Sequence, residues 1–150
     1  MWKKRKKKPP LFDKPTPKFS PSSLKSKLDR IFSQFIRLRD ADNNGYVRCI
    51  SCGKVRYWKD VDCGHFVNRS HMSLRFNEKN CNAQCQGCNR FDEGNNIGYT
   101  KGIIKKYGIG VIDELEVLKY QTTSFSEFDY QVMIKYYQDK VKQLKKEKGL

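Results

Sequence analysis

The sequence predicts an α+β fold, with amphipathic helices toward both ends of the chain and a short-stranded, cysteine-rich stretch between them. Three observations carry this. Leu24, Leu28, Ile31, Phe35 and Leu38 recur at spacings of 4, 3, 4 and 3, one apolar stripe along a helix. Tyr130, Ile134, Tyr137, Val141 and Leu144 repeat the same rhythm near the other end. Between them, residues 46–98 show no long period and hold all six cysteines.

Each segment follows from its own chemistry. Residues 1–20 combine Lys3, Lys4, Arg5, Lys6, Lys7 and Lys8 with four prolines, a composition that cannot bury a core and reads as a disordered basic arm. Its role is either a phosphate-binding tether or a solubilising tail. A first helix is expected over residues 22–40, capped by Ser22–Ser23 and ended by the Asp42-Asn43-Asn44-Gly45 turn. Tyr46 to Ile50, Val55 to Trp58 and Val61 to Phe66 read as short strands, followed by a loop from Val67 to Lys79 and a helix opening near Cys88. Residues 99–148 should be helical. Gly108 stops one helix, Val111 to Lys119 forms the next, and Ser124-Phe125-Ser126-Glu127 offers a capping box for the last.

The charge balance selects a class of partner. Thirty-one Lys and Arg against sixteen Asp and Glu give a formal charge of +15. The arm carries +7 of this and the remainder +8, so both should attract phosphate, with binding that weakens as salt rises. No apolar run approaches the roughly 20 residues of a membrane span. The basic N-terminus lacks the apolar stretch of a secretion signal, so the expected location is the cytoplasm, where thiols stay reduced. Six cysteines then point to metal binding more than to disulfides.

Cys49-Ile50-Ser51-Cys52-Gly53 and Cys85-Gln86-Gly87-Cys88-Asn89 are two knuckles whose paired sulfurs can face one ion. Cys49, Cys52, Cys85 and Cys88 would complete a tetrahedron around one structural zinc and leave no open position. The 32 residues between the knuckles exceed the usual zinc-ribbon gap and suggest a functional insert. Cys63 and Cys81 read as packing residues, with a spare thiol as the alternative for either. The insert holds Asp62-Cys63-Gly64-His65-Phe66 and Asn80, and Asn89 directly follows the last cysteine. On this reading residues 21–150 form a single zinc-braced domain, its core at 46–98.

These joined motifs resemble the zinc-containing HNH, or ββα-metal, endonucleases. The segments Cys-Ile-Ser-Cys-Gly, Asp62-x-Gly64-His65, Leu74-Arg75-Phe76-Asn77-Glu78-Lys79-Asn80 and Gln84-Cys85-x-x-Cys88-Asn89 resemble more closely the NinG (Rap) family of phage recombination proteins. The resemblance implies a small treble-clef or ββα-metal zinc core with flanking helices. It also implies a structure-selective endonuclease for branched recombination intermediates such as Holliday junctions and D-loops, acting in the cytoplasm of a bacterial host. By position, His65 is then the general base, Asn80 the loop residue that orients it, and Asn89 a ligand of a catalytic Mg²⁺ or Mn²⁺. Cleavage would leave a 5′-phosphate and a 3′-hydroxyl. The usual metal ligand just before the base is replaced by Gly64; Asp62, on the same strand face, either supplies that carboxylate or is a turn or salt-bridge residue.

Arg69, Arg75 and Arg90 flank the centre as phosphate clamps or as surface ion-pair partners. His71 has no assigned role, and Trp58 is expected in the core. A homodimer and other recombination proteins are the expected partners besides DNA. A non-catalytic zinc-braced nucleic-acid-binding module is the alternative to the nuclease, sustained by the missing ligand at Gly64. A zinc-built protein adaptor would leave the charge unexplained.

Overall fold

The computed structural model describes residues 20–150; the basic arm, including Lys3, Lys4, Arg5, Lys6, Lys7 and Lys8, lies outside the described residues apart from Ser20. The fold is α+β, five helices and two small antiparallel sheets among the described residues.

Helix α1 spans Pro21–Arg39. Its cap is Ser20 instead of Ser22–Ser23: the Ser20 hydroxyl accepts the Ser23 N–H at 3.3 Å. Pro21 explains the shift, because its fixed φ and missing N–H suit the first helical position. The buried stripe is Leu24, Leu28, Phe32, Phe35, Ile36 and Leu38, with Phe32 facing inward where Ile31 was expected. Helix α5, Glu127–Lys148, packs along α1 through Tyr130, Ile134, Tyr137 and Val141. Tyr137 meets Phe32 edge-on at 4.9 Å and Phe35 at 5.0 Å between ring centroids. The α5 capping box lies two residues later than expected, with Ser126 as cap and Asp129 returning a bond to the Ser126 N–H at 2.8 Å. At its other end Lys148 Nζ donates to the carbonyls of Leu38 and Ala41, closing the terminus of α1.

Strands β1 (Tyr46–Arg48) and β2 (Val55–Tyr57) form one hairpin. Strand β3 (Val61–His65) pairs with β4 (Cys81–Cys85), Val61 opposite Cys85 and His65 opposite Cys81. No strand was expected at β4. All five of its residues are buried, so Asn82 and Gln84 erase the alternation that marks a half-exposed strand. The intervening stretch contains one short helix, α2 (Met72–Arg75). Val47, Trp58, Val61, Cys81 and Ala83 join the α1–α5 core, which confirms Trp58 as a packing residue.

After a π-type turn at Gly87–Phe91, α3 (Asn96–Tyr107) and α4 (Gly110–Lys119) enclose a second core of Leu74, Tyr99, Ile103, Val111 and Leu115. Gly108, at φ +88°, ends α3 as expected. Helix α3 lies directly on the first knuckle: a methyl group at Gly98 or Gly102 would strike the carbonyls of Ser51 or Ile50. No described helix is long and apolar enough to cross a membrane.

Candidate functional site

Two backbone elements bring the four knuckle cysteines together. Cys49 and Cys52 sit in the turn between β1 and β2, tightened by the Gly53 N–H to Cys49 carbonyl bond at 2.9 Å and by the left-handed Gly53. Cys85 is the last residue of β4, and Cys88 lies in the turn that follows. Their sulfurs all lie within 4.8 Å of one another, with Cys52 and Cys85 at 3.7 Å. A tetrahedron with zinc–sulfur bonds of about 2.3 Å has edges of roughly 3.8 Å, so this donor set fits one zinc ion. The Cys85 N–H donates to Cys49 Sγ at 3.3 Å and Asn95 Nδ2 to Cys88 Sγ at 3.4 Å, bonds that favour thiolates. Without a cation, Cys52 and Cys88 titrate far apart. Burial opposes ionisation at both Cys52 and Cys88, but the Lys54 N–H and neighbouring thiols bring Cys52 down to about 7. Burial and its cysteine neighbours push Cys88 up to about 12.

On the other side of the β3–β4 hairpin, His65 ends β3. Its Nε2 lies 3.0 Å from the Arg75 carbonyl. A carbonyl only accepts, so Nε2 carries the hydrogen and a neutral ring keeps its lone pair on Nδ1. Burial lowers the His65 pKa below its usual value, and the Arg69 and Arg75 guanidiniums act in the same direction against the Arg75 carbonyl and Asp29. The neutral, proton-accepting form therefore prevails at pH 7.

The orientation of His65 traces back to α1 and to Asn80. Asp29 holds Arg75 through both oxygens, Nε to Oδ1 at 2.8 Å and Nη2 to Oδ2 at 2.7 Å. Asn80, fully buried, accepts from the Val67 N–H at 2.8 Å and donates to the carbonyls of Val67 and Leu74 at 3.0 and 3.1 Å. Asn80 thus pins the segment 67–74 and acts on the imidazole through the position of the Arg75 carbonyl. Tyr99, also buried, reaches the carbonyls of Gly64 and Asn80 through its hydroxyl at 2.9 and 3.2 Å. Asp29, Tyr99 and Gln84 are site residues that sequence reasoning missed.

Gln84 explains Gly64. A Cβ at Gly64 would run into the Gln84 side chain, which is itself held by Ser51 Oγ at 2.8 Å and the Gly94 carbonyl at 2.6 Å. The position before His65 has no room for a ligating side chain. Asp62, one pleat back, receives Asn89 Nδ2 at 3.0 Å and both Arg90 Nε and Nη2 at 2.7 Å. Burial works against its ionisation, but these donors outweigh it and lower the pKa below the usual carboxylate value. With its nitrogen committed to Asp62, Asn89 keeps its amide oxygen for a ligand.

His65, Asn89 and Arg69 line one polar cleft of about 550 Å³, together with Asn68, Glu93 and Asn96. A second hollow of about 210 Å³ adjoins it, lined by Asp29, Asp62, His65, Arg69 and Arg75 among others. His65 and Asn89 thus share the cleft, while Asp62 bonds Asn89 and lines the adjoining hollow with His65. Arg75 and Arg90 are committed to Asp29 and Asp62, while Arg69 lines both hollows and pairs with no carboxylate among the described residues. His71 precedes α2 at its cap position without capping it.

The family model described as Bacteriophage Lambda NinG protein matches residues 3–147. The chain belongs to the NinG family. NinG relatives include Protein ninG of Salmonella phage P22 and Protein ninG of Escherichia phage lambda, each 39% identical over 85 residues. That match covers 55% of this chain and 38% of each relative. Protein ninG of Escherichia phage 933W is 38% identical over 85 residues, which cover 55% of this chain and 39% of the relative. The chain thus spans about two-fifths of the length of the NinG relatives it matches. No solved structure matches it significantly.

Proposed function

We propose that this NinG-family chain is a metal-dependent DNA endonuclease of the HNH type that cuts branched recombination intermediates in the cytoplasm of a bacterial host. The observation that carries the reading is the neutral His65, its Nδ1 lone pair left available by the Arg75 carbonyl, beside Asn89 and Arg69 in one cleft of a strongly basic chain. Binding alone needs no proton acceptor.

His65 Nδ1 takes the proton of a water as its oxygen attacks phosphorus, and the ring then carries the charge. Asn80 and Asp29 hold that ring in place through the Arg75 carbonyl. Arg69 draws the scissile phosphate toward the cleft. Asp62 holds the Asn89 amide nitrogen, and the Asn89 oxygen, with Asp62 beside it, would hold a hard divalent cation. Such a cation takes few protein oxygens and keeps waters and substrate phosphates, so this sparse donor set suits Mg²⁺ or Mn²⁺. When bound, the ion stabilises charge on the leaving 3′-oxygen. Phe91, 84% exposed on the turn that carries Asn89 and Arg90, offers an aromatic face for unpaired bases at a branch point. A homodimer would give a symmetric junction its two cuts, and other recombination proteins are the expected partners.

The blocked Gly64 position and the Asp62–Arg90 pair favour a second reading, a zinc-braced module that holds DNA without cutting it. Labelled four-way junctions, D-loops and linear duplex, incubated with the full chain in Mg²⁺ or in EDTA, separate the two. The nuclease reading expects metal-dependent nicking of the branched substrates; salt-sensitive binding with no product in either condition would sink it.

A further inference from the structure

A second group of metal-ligating side chains lies outside the four-cysteine brace. His65 and Cys63 are two residues apart on β3 and so project from the same face of the hairpin, and Cys81 stands directly opposite His65 on β4. The sulfurs of Cys63 and Cys81 and a nitrogen of His65 all lie within 4.8 Å of one another. Around one ion with bonds of about 2.0 to 2.3 Å, such donors stand roughly 3.3 to 3.8 Å apart, so the group needs only to draw together by about an ångström. His65 Nε2 and Cys81 Sγ both donate to the Arg75 carbonyl, at 3.0 and 3.6 Å, and an ion bound between the two side chains takes the place of a hydrogen on the thiol and of one on the ring. Cys63 and His65 also line the main cleft, so an ion can enter from solvent.

We propose that Cys63, His65 and Cys81 form a second metal site, for a borderline or soft divalent ion such as Zn²⁺. Two thiolates and an imidazole exclude Mg²⁺ and Mn²⁺, which prefer oxygen. Three protein ligands leave the fourth position open, unlike the closed four-cysteine brace. The site shares no residue with that brace. It shares His65 with the hydrolytic reading but does not depend on it: an ion bound to the ring occupies the lone pair that would accept the proton of water, so the metal-loaded and hydrolytic states of His65 exclude each other.

The test is metal stoichiometry of the full, reduced chain. Zinc displaced by a thiol reagent and captured by a chromophoric chelator should amount to two equivalents in the wild type. One equivalent is expected in Cys63→Ser and in Cys81→Ser. Cobalt substitution adds a signature: the second equivalent should bring extra thiolate-to-metal charge-transfer absorption, absent from both variants. Cys81 is fully buried and its variant can unfold; half-buried Cys63 supplies the variant whose far-UV circular dichroism should match the wild type. A wild type that saturates at one equivalent overturns the site, as does a second equivalent that survives in folded Cys63→Ser. Neither readout involves DNA, so failure here and failure of the nuclease reading are told apart.

Discussion

Asn80→Ala isolates the role assigned to that residue. The side chain makes three hydrogen bonds to the backbone of the segment it pins; its methyl replacement leaves the Val67 N–H and carbonyl without partners, while the Leu74 carbonyl keeps the Asn77 N–H at 3.2 Å. A buried backbone group left unpaired costs about 1–3 kcal/mol, so losing both partners at Val67 should cost roughly 3 kcal/mol. Against a total stability of about 5–15 kcal/mol the variant still folds. With a urea dependence of about 2 kcal/mol per molar, the unfolding midpoint of zinc-loaded protein should fall by about 1.5 M. Asn68→Ala is the control. Asn68 lines the same cleft but bonds only the exposed Ser70 N–H through its side chain, and its loss should cost at most about 0.5 kcal/mol. At temperatures where Asn80→Ala is folded, the His65 ring resonances should broaden, because the Arg75 carbonyl that holds the ring loses its support. A midpoint within about 0.3 M of the wild type, with sharp His65 resonances, would refute the claim that Asn80 orients the ring through this segment.

Three further outcomes follow from the same geometry. Gly64→Ala should lose on the order of 2 kcal/mol in urea unfolding, because its methyl must displace the Gln84 side chain, which Ser51 and Gly94 hold. Stripping zinc with a strong chelator should lower the thermal midpoint and open the β1–β2 turn to hydrogen exchange; unchanged exchange there would remove the structural role of the four cysteines. Burial holds the folded His65 pKa below the unfolded value of 6.5, so its contribution to stability is complete above pH 6.5 and declines as pH falls from there toward the folded pKa. His65→Asn should flatten that slope, measured as unfolding free energy against pH.

The elements legible in the sequence were those whose signal is local. The α1 and α5 stripes have helical spacing, Gly108 sits where a left-handed residue is needed, and two-residue gaps announce the knuckles. Strand β4 was hidden because its polar residues are spent inside the fold. Asn82 bonds Lys106, Arg39 and Tyr99, and Gln84 bonds Ser51 and Gly94, partners that lie 10 to 43 positions away. The capping box slipped because Ser124 and Ser126 offer the same chemistry, and only the helix start at Glu127 distinguishes them. At the site, the motif spacing located His65, Asn89 and the cysteines, but not what orients them. Asp29 reaches Arg75 across 46 positions, and no local pattern marks a helix residue as the anchor of a loop. Gly64 read as a missing ligand; Gln84 gives it a steric reason.

The central claim is that His65 serves as the base of a hydrolytic centre, and the cleavage rate of His65→Ala on a labelled four-way junction in Mg²⁺ tests it most directly. The account predicts that the variant binds the junction like the wild type, keeps the zinc of its four-cysteine brace and cuts at least about 100-fold more slowly. A variant that binds and cuts at the wild-type rate would contradict it.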